Sequence, residues 1–244
     1  MKIVAIIQAR MNSERLPGKV LRKINDKPII EIIVERIRLS QRIDEVIIAT
    51  SLEKSDDELE QYCLHKQLNV FRGDLNNVLE RFYQCATKVN ADIIIRLTGD
   101  NPFVDGRLID EAIDQFRIEN VDYLKFGMNL PLGMGIEVFT YESLKKAYDQ
   151  ATNSECLEHV TPFMYKNQNI FRCAEIAYSN FEENKDIRLT VDTEADFEVA
   201  CKIFNEIGRI DFTYERLIDC LKENYDWLKI NSSVCQKKVL YEGE

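Results

Sequence analysis

Arg10, Arg15 and Lys19 crowd one short polar loop, Gln8-Ala9-Arg10-Met11-Asn12-Ser13-Glu14-Arg15-Leu16-Pro17-Gly18-Lys19, in a chain whose net charge is −10. Arginine offers a planar fork that matches phosphate oxygens, and lysine offers a compact point charge. Gly18 lets a backbone approach closely, and Pro17 stiffens the turn before it. The loop therefore reads as an anion site, with an ordinary basic surface loop as the alternative. Two aspartates could complete such a site. Asp100, in Arg96-Leu97-Thr98-Gly99-Asp100-Asn101-Pro102, is placed to hold Mg²⁺, a hard cation that prefers oxygen ligands. The other reading of Asp100 is a turn or cap residue, although Asp105 can cap the following helix by itself. Asp192, in Arg188-Leu189-Thr190-Val191-Asp192-Thr193, is open to two readings, a second carboxylate on the same metal or a helix cap.

Other chemistries find less support. Glu158-His159 sits in a helical context, where a lone His beside a Glu is more often a hydrogen-bonding residue than a catalyst, and His65 reads as a solvated helix residue. There is no G-x-S-x-G and no Cys/His pairing at a recognisable spacing, which weakens hydrolase readings. The opening loop has neither G-x-G-x-x-G nor G-x-x-x-x-G-K-[ST], which argues against the usual dinucleotide fold and against a P-loop.

The elements that must position these residues follow from hydrophobic periodicity. Ile3–Ile7, Val46–Thr50, Asn69–Phe71 and Asp92–Leu97 read as strands, with helices over about 28–39, from a Ser55/Glu58 capping box onward, over 76–89, and through Leu108 to Phe116. Continuous apolar strands alternating with helices imply a parallel sheet covered on both faces. Ligands of such sheets bind beyond the carboxyl ends of the strands, so the Arg10 loop, Thr50-Ser51, Arg72-Gly73 and Gly99-Asp100 should share one rim. The second half breaks this rhythm. Strands are expected at Asp122–Phe126, Ile136–Phe139, Ile170–Ala177 and Ile187–Val191, with a loop over 127–135, helices over 141–151 and about 194–207, and a last short helix near Leu217 to Leu221. One domain over 1–244 is expected: a regular first half (1–120), a second half (121–210) with an insertion near 127–180, and a C-terminal helical extension (211–244).

Bulk properties set the class. At 244 residues, 45% hydrophobic and 30% charged, the chain is long and apolar enough for a sizeable core. Its acidity argues against a broad nucleic-acid face. Seven scattered cysteines without C-x-x-C point to reduced thiols, and no apolar run approaches the ~20 residues that span a bilayer. A cytoplasmic protein with no membrane partner is expected.

The loop residues Ile6 to Arg10, Ser13 and Arg15-Leu16-Pro17-Gly18-Lys19 resemble the nucleotide-binding loop of the sugar-activating cytidylyltransferases. The wider pattern is similar to the subgroup named after spore coat polysaccharide biosynthesis protein F. Phe71-Arg72-Gly73, Val78 to Tyr83, Arg96 to Asp100, Glu158-His159-Val160-Thr161-Pro162 and Arg188 to Thr193 carry that pattern in order, over residues 1 to about 205. The resemblance implies a Rossmann-like, glycosyltransferase-A type α/β fold, with a mostly parallel central sheet, helices on both faces and a small insertion in the second half. It also implies transfer of CMP from CTP with release of pyrophosphate. By motif match, Arg10, Arg15 and Lys19 would hold the triphosphate beside Gln8, Ala9 and Gly99. Thr50, Ser51 and Arg72 would lie near base and ribose, and Asp100 would carry Mg²⁺ with Asp192 as partner. The catalytic set is then Arg10, Lys19 and Asp100. In sialic-acid-type relatives the late motif has two aspartates one residue apart, and here the earlier position is Thr190. Asn77 replaces an acid often found before the Val-Leu pair.

An acceptor, a sugar acid or a phosphorylated sugar or polyol, would bind the second half, with Lys125, Glu137, Glu158, His159 and Arg188 as candidates and Tyr123 beside them. Related enzymes are commonly dimers, which leaves a homodimer open. Rival readings are a nucleotidyltransferase using another NTP, and a non-catalytic nucleotide-binding partner in glycan modification. A nucleotide-sugar glycosyltransferase would normally carry D-x-D after a strand, and no suitable one is found.

Overall fold

Uninterrupted apolar runs build the middle of the sheet. In the computed structural model, which describes residues 1–178 and 184–236, β1 (Ile3–Gln8), β2 (Glu45–Ser51), β3 (Asn69–Gly73) and β4 (Ile93–Thr98) are parallel neighbours. The second half adds β5 (Tyr123–Phe126), β6 (Ile136–Thr140) and β7 (Cys173–Ile176). The order across the seven-stranded sheet is β3-β2-β1-β4-β6-β5-β7, and only β6 runs against its neighbours. The mostly parallel sheet expected from the sequence is thus present. All four ends of β1 to β4 open onto one rim.

Alternation along each strand splits the core. Ile3, Ala5 and Ile7 face one side, which α1 (Ile29–Ile37), α2 (Asp57–His65), α4 (Gly106–Glu119), α8 (Glu194–Ile207) and α9 (Tyr214–Glu223) cover. Val4 and Ile6 face the other, under α3 (Val78–Lys88), α5 (Tyr141–Gln150) and α7 (Pro162–Lys166), with α6 (Ser154–His159) beside α3. Two buried faces are why the strands read as continuous apolar runs instead of alternating ones. No helix among the described residues is long and apolar enough to cross a membrane, and all seven cysteines are free thiols.

Three local expectations change. Ile187–Val191 does not join the sheet. It lies beside the 127–135 loop, where Leu132 and Arg188 form a single bridge and Val191 N–H donates to the Asp100 carbonyl. Pro131 has no N–H to give a ladder and Gly133 turns the chain, so pairing stops after one step. The strand expected over Ile170–Ala177 is shortened to Cys173–Ile176, because Ile170 and Phe171 turn back onto the Asn167 carbonyl. The Ser55/Glu58 capping box is absent. A 3₁₀ turn at Lys54–Asp56 leads into α2 instead, and the Ser55 hydroxyl accepts from Asn12. Asp105 does cap α4, accepting from the Arg107 N–H.

The turn that follows Asp100 is anchored from below. Arg36, fully buried at the end of α1, donates to the carbonyls of Phe103, Val104, Ile210 and Phe212 and sits 3.9 Å over the Phe212 ring. Burial pulls its pKa down to about 10, against the opposing charge of Asp105. Arg36→Met would leave those carbonyls without donors in a dry site. A loss of about 3 kcal/mol in unfolding free energy is expected, read as a lower urea midpoint at unchanged slope.

Candidate active site

The loop between β1 and α1 is a closed hoop. The Met11 carbonyl accepts from the N–H groups of both Ser13 and Gly18, and Gly18 takes φ +70°, which glycine adopts without strain. Asp56 clips the hoop to β2. Its carboxylate accepts from the N–H of Met11 at 2.7 Å, and from the N–H and hydroxyl of Ser51. Gly99 brings β4 up against it, since a Cβ there would lie 2.9 Å from that of Ala9.

That closure places the charges. Lys19 is nearly buried, and its ammonium donates to Asp100 Oδ2 (3.0 Å), Asp192 Oδ1 (2.8 Å) and the Val191 carbonyl (2.9 Å). The other oxygen of Asp192 takes Arg15 at 3.1 Å and Arg188 at 2.7 Å. Burial alone would raise the Asp192 carboxyl, but the hydrogen bond and charge of Lys19, with Arg15 and Arg188, hold it below the usual carboxylate range. Asp100 Oδ1 accepts from the Thr98 hydroxyl at 2.5 Å. Arg10 stands exposed on the same rim and makes no ion pair with any described residue. The helix-cap reading of Asp192 falls away, because Thr193 caps α8 in a capping box with Asp196.

A cleft of about 640 Å³ opens over these groups. Gln8, Ala9, Arg10, Arg15, Lys19, Gly99, Asp100 and Asp192 line it on one side, and Glu158 and His159 on the other. Among the described residues no group of three His, Cys, Asp or Glu side chains could hold a metal alone. The Asp100/Asp192 pair offers only oxygen. It fits Mg²⁺, which commonly takes one or two carboxylates and completes its shell with water and substrate phosphate.

Other expected residues do not line the cleft. Thr50 and Ser51 are fully buried, with Ser51 spent on Asp56. The Arg72 fork is held by Asp57, Glu60 and the carbonyls of Ser51 and Glu53. Lys125 is exposed on β5 opposite Glu137 of β6. Glu137 accepts from Arg96, Tyr123 Oη (2.6 Å) and Thr161 Oγ1 (2.7 Å). Arg188 is buried on Asp196 and Asp192.

The cleft also contains residues that the sequence did not single out: Asp74, Leu75, Asn76, Arg81 and Ser154. Arg81 is buried, its pKa pulled down to about 10 by that burial, and it donates to the Asp74 carbonyl at 2.6 Å. Gly73 makes room for it, as a Cβ there would lie 2.8 Å from Arg81 Cγ. The available signal was an arginine three residues after Val78, among the apolar positions of α3. Asn77 caps α3 and hydrogen-bonds Glu80. At the far wall, Val160 is a fully buried β-branched residue at φ +70°, ψ −56°, and Thr161 N–H donates to the His159 carbonyl at 2.8 Å. This γ-turn is a strained conformation for valine, and it ends α6 at the cleft.

Comparison with known proteins gives the family. The family model described as cytidylyltransferase matches residues 4–244. The chain is 37% identical over 230 residues to the spore coat polysaccharide biosynthesis protein SpsF of Bacillus subtilis (strain 168), covering 92% of this chain and 95% of that one. A solved cytidylyltransferase from Leptospira borgpetersenii serovar Hardjo-bovis (strain JB197) is 31% identical with a TM-score of 0.88, over 98% of this chain and 100% of that chain. A CMP:2-keto-3-deoxy-manno-octonic acid synthetase complexed with CTP has a TM-score of 0.67 at 21% identity, over 85% and 100%, a likeness of fold.

Because the Asp192 carboxyl is held below its ordinary 3.8, it stabilises the folded state above that pH, and the contribution is lost as pH falls through the lowered value. Urea midpoints should therefore drop between about pH 5 and pH 2, and Asp192→Asn should flatten part of that slope. Parallel pH curves for the two proteins would contradict the charge arrangement.

Proposed function

This chain belongs to the cytidylyltransferase family, and from that premise we propose that it moves CMP from CTP to a sugar acid or a phosphorylated sugar or polyol, for surface glycan assembly. The observation that carries the reading is one ammonium: Lys19 within hydrogen-bond distance of both Asp100 and Asp192, on a rim where Arg10 makes no ion pair with any described residue. Phosphate oxygens entering this rim would meet Arg10 first. They would then compete with the two carboxylates for Lys19 and Arg15.

An acceptor oxygen attacks the α-phosphorus of CTP. The new P–O bond forms as the bond to pyrophosphate breaks, and the negative charge leaves on the pyrophosphate; a phosphate acceptor attacks as its anion, and a hydroxyl acceptor gives its proton to solvent. Little covalent chemistry falls to the protein. Its part is to align the chain of phosphates and to balance charge in the cleft. Arg10, Arg15 and Lys19 supply positive charge along the triphosphate. Asp100 and Asp192 would hold Mg²⁺, which when bound would neutralise phosphate charge and polarise the P–O bonds. Glu158 and His159, carried by α6 on the opposite wall, would meet acceptor hydroxyls, with Ser154 and Asn76 nearby.

The test is pyrophosphate release from each of four NTPs with Mg²⁺ against a library of sugar acids and sugar phosphates. Release with CTP and an acceptor is expected. Turnover with another NTP, or CTP binding with no turnover for any acceptor, would contradict the reading. Lys19→Ala and Asp100→Asn should each slow turnover at least about a hundredfold, the scale of one lost charged contact in such a site. Normal release from either variant would remove that residue from the mechanism.

A further inference from the structure

Glu137 is a largely buried carboxylate that accepts three hydrogen bonds within the protein. It sits on β6 directly across from Arg96 of β4. Arg96 ion-pairs with it, and both side chains are about 15% exposed. Tyr123 and Thr161 donate to its other oxygen at 2.6 and 2.7 Å. Burial works against the charge, but Arg96 and these donors hold the Glu137 carboxyl below its ordinary value, so it is an anion at neutral pH. Such an ion pair is a costly way to fill space, which makes its connections informative.

One connection leads into the cleft. Arg96 Nε donates to Gln8 Oε1 at 3.2 Å. An arginine can only donate, so the amide atom that faces it must be the oxygen. The Gln8 NH₂ group therefore points away from Arg96, and it has no partner among the described residues. Gln8 is the last residue of β1, adjoins the Arg10 hoop and lines the cleft. The second connection leads to the opposite wall. Thr161 directly follows the strained Val160 turn, so the same carboxylate pins the end of α6 behind His159.

We propose that Glu137 is a positioning residue: through Arg96 it fixes the Gln8 amide as an obligate donor toward the cleft, and that NH₂ group hydrogen-bonds an oxygen of the bound nucleotide. The proposal rests on the cytidylyltransferase reading for the identity of the ligand. It gives Gln8 a polarity that neither its sequence position nor its exposure specifies. It also makes Glu137 act on the ligand from behind the cleft wall.

Gln8→Glu separates these roles. The carboxylate is nearly isosteric and still accepts from Arg96, but it has no hydrogen to give the ligand. The protein should keep its thermal midpoint and bind CTP·Mg²⁺ about tenfold more weakly by titration calorimetry. Glu137→Gln should also weaken binding about tenfold, and the double variant should be no weaker than the weaker single, because both remove one interaction. Arg96→Lys should behave like Glu137→Gln, and it serves should Glu137→Gln fail to fold. Wild-type affinity in Gln8→Glu, or a double variant about a hundredfold weaker, would overturn the proposal. In the free protein the Gln8 side-chain amide signals, assigned from their loss in Gln8→Glu, should shift in Glu137→Gln, and unmoved signals would equally overturn it. Failure of the wild type to bind CTP would instead strike the functional reading, since the amide signals report the Arg96–Glu137 relay without any ligand.

Discussion

A lysine ammonium shared between two carboxylates from distant parts of the chain is the constraint on which the site depends. Lys19 comes from the hoop after β1, Asp100 from the end of β4 and Asp192 from the segment before α8. Bringing one cation to two anions lets the carboxylates stay close without repelling each other. On the proposed function, a polyanion arriving with a divalent metal would offer new partners to both signs of charge at once. The pair of acids and the group that neutralises them are thus built as a single exchangeable unit.

Most of the remaining architecture keeps that unit in register. Asp56 clips the hoop to β2, Gly99 allows β4 to close on Ala9, and Arg36 holds the turn beyond Asp100 through buried carbonyls. Arg188, Asp196 and Asn231 form a buried polar cluster behind Asp192. None of these side chains needs to meet a ligand for the site to require them. Across the cleft from this unit stand Arg81 of α3 and Glu158 and His159 of α6.

How much could be read from the sequence follows from how local each signal is. β1 to β4 were legible because strands buried on both faces spell themselves as apolar runs. The hoop was legible because its cations stand out in an acidic chain. Ile187–Val191 has the same apolar look, but strand formation depends on a neighbour with free backbone groups, and Pro131 and Gly133 deny it one. Glu137 and Arg72 have the right types for ligand contacts, yet their partners lie on other elements: Arg96, Tyr123 and Thr161 for the first, Asp57 and Glu60 for the second. Asp56 carried no signal as a clip, since its partner Met11 is forty-five residues away. Pairing across such separations is set by topology, which no local pattern encodes.

The most direct test of this account is a crystal structure with CTP and Mg²⁺. The triphosphate should lie along Arg10, Arg15 and Lys19, with the metal on Asp100 and Asp192 and the Lys19 ammonium turned toward phosphate. CTP bound instead in the separate groove by Lys145, Lys146 and Phe171, with the Lys19–carboxylate cluster unchanged, would contradict it.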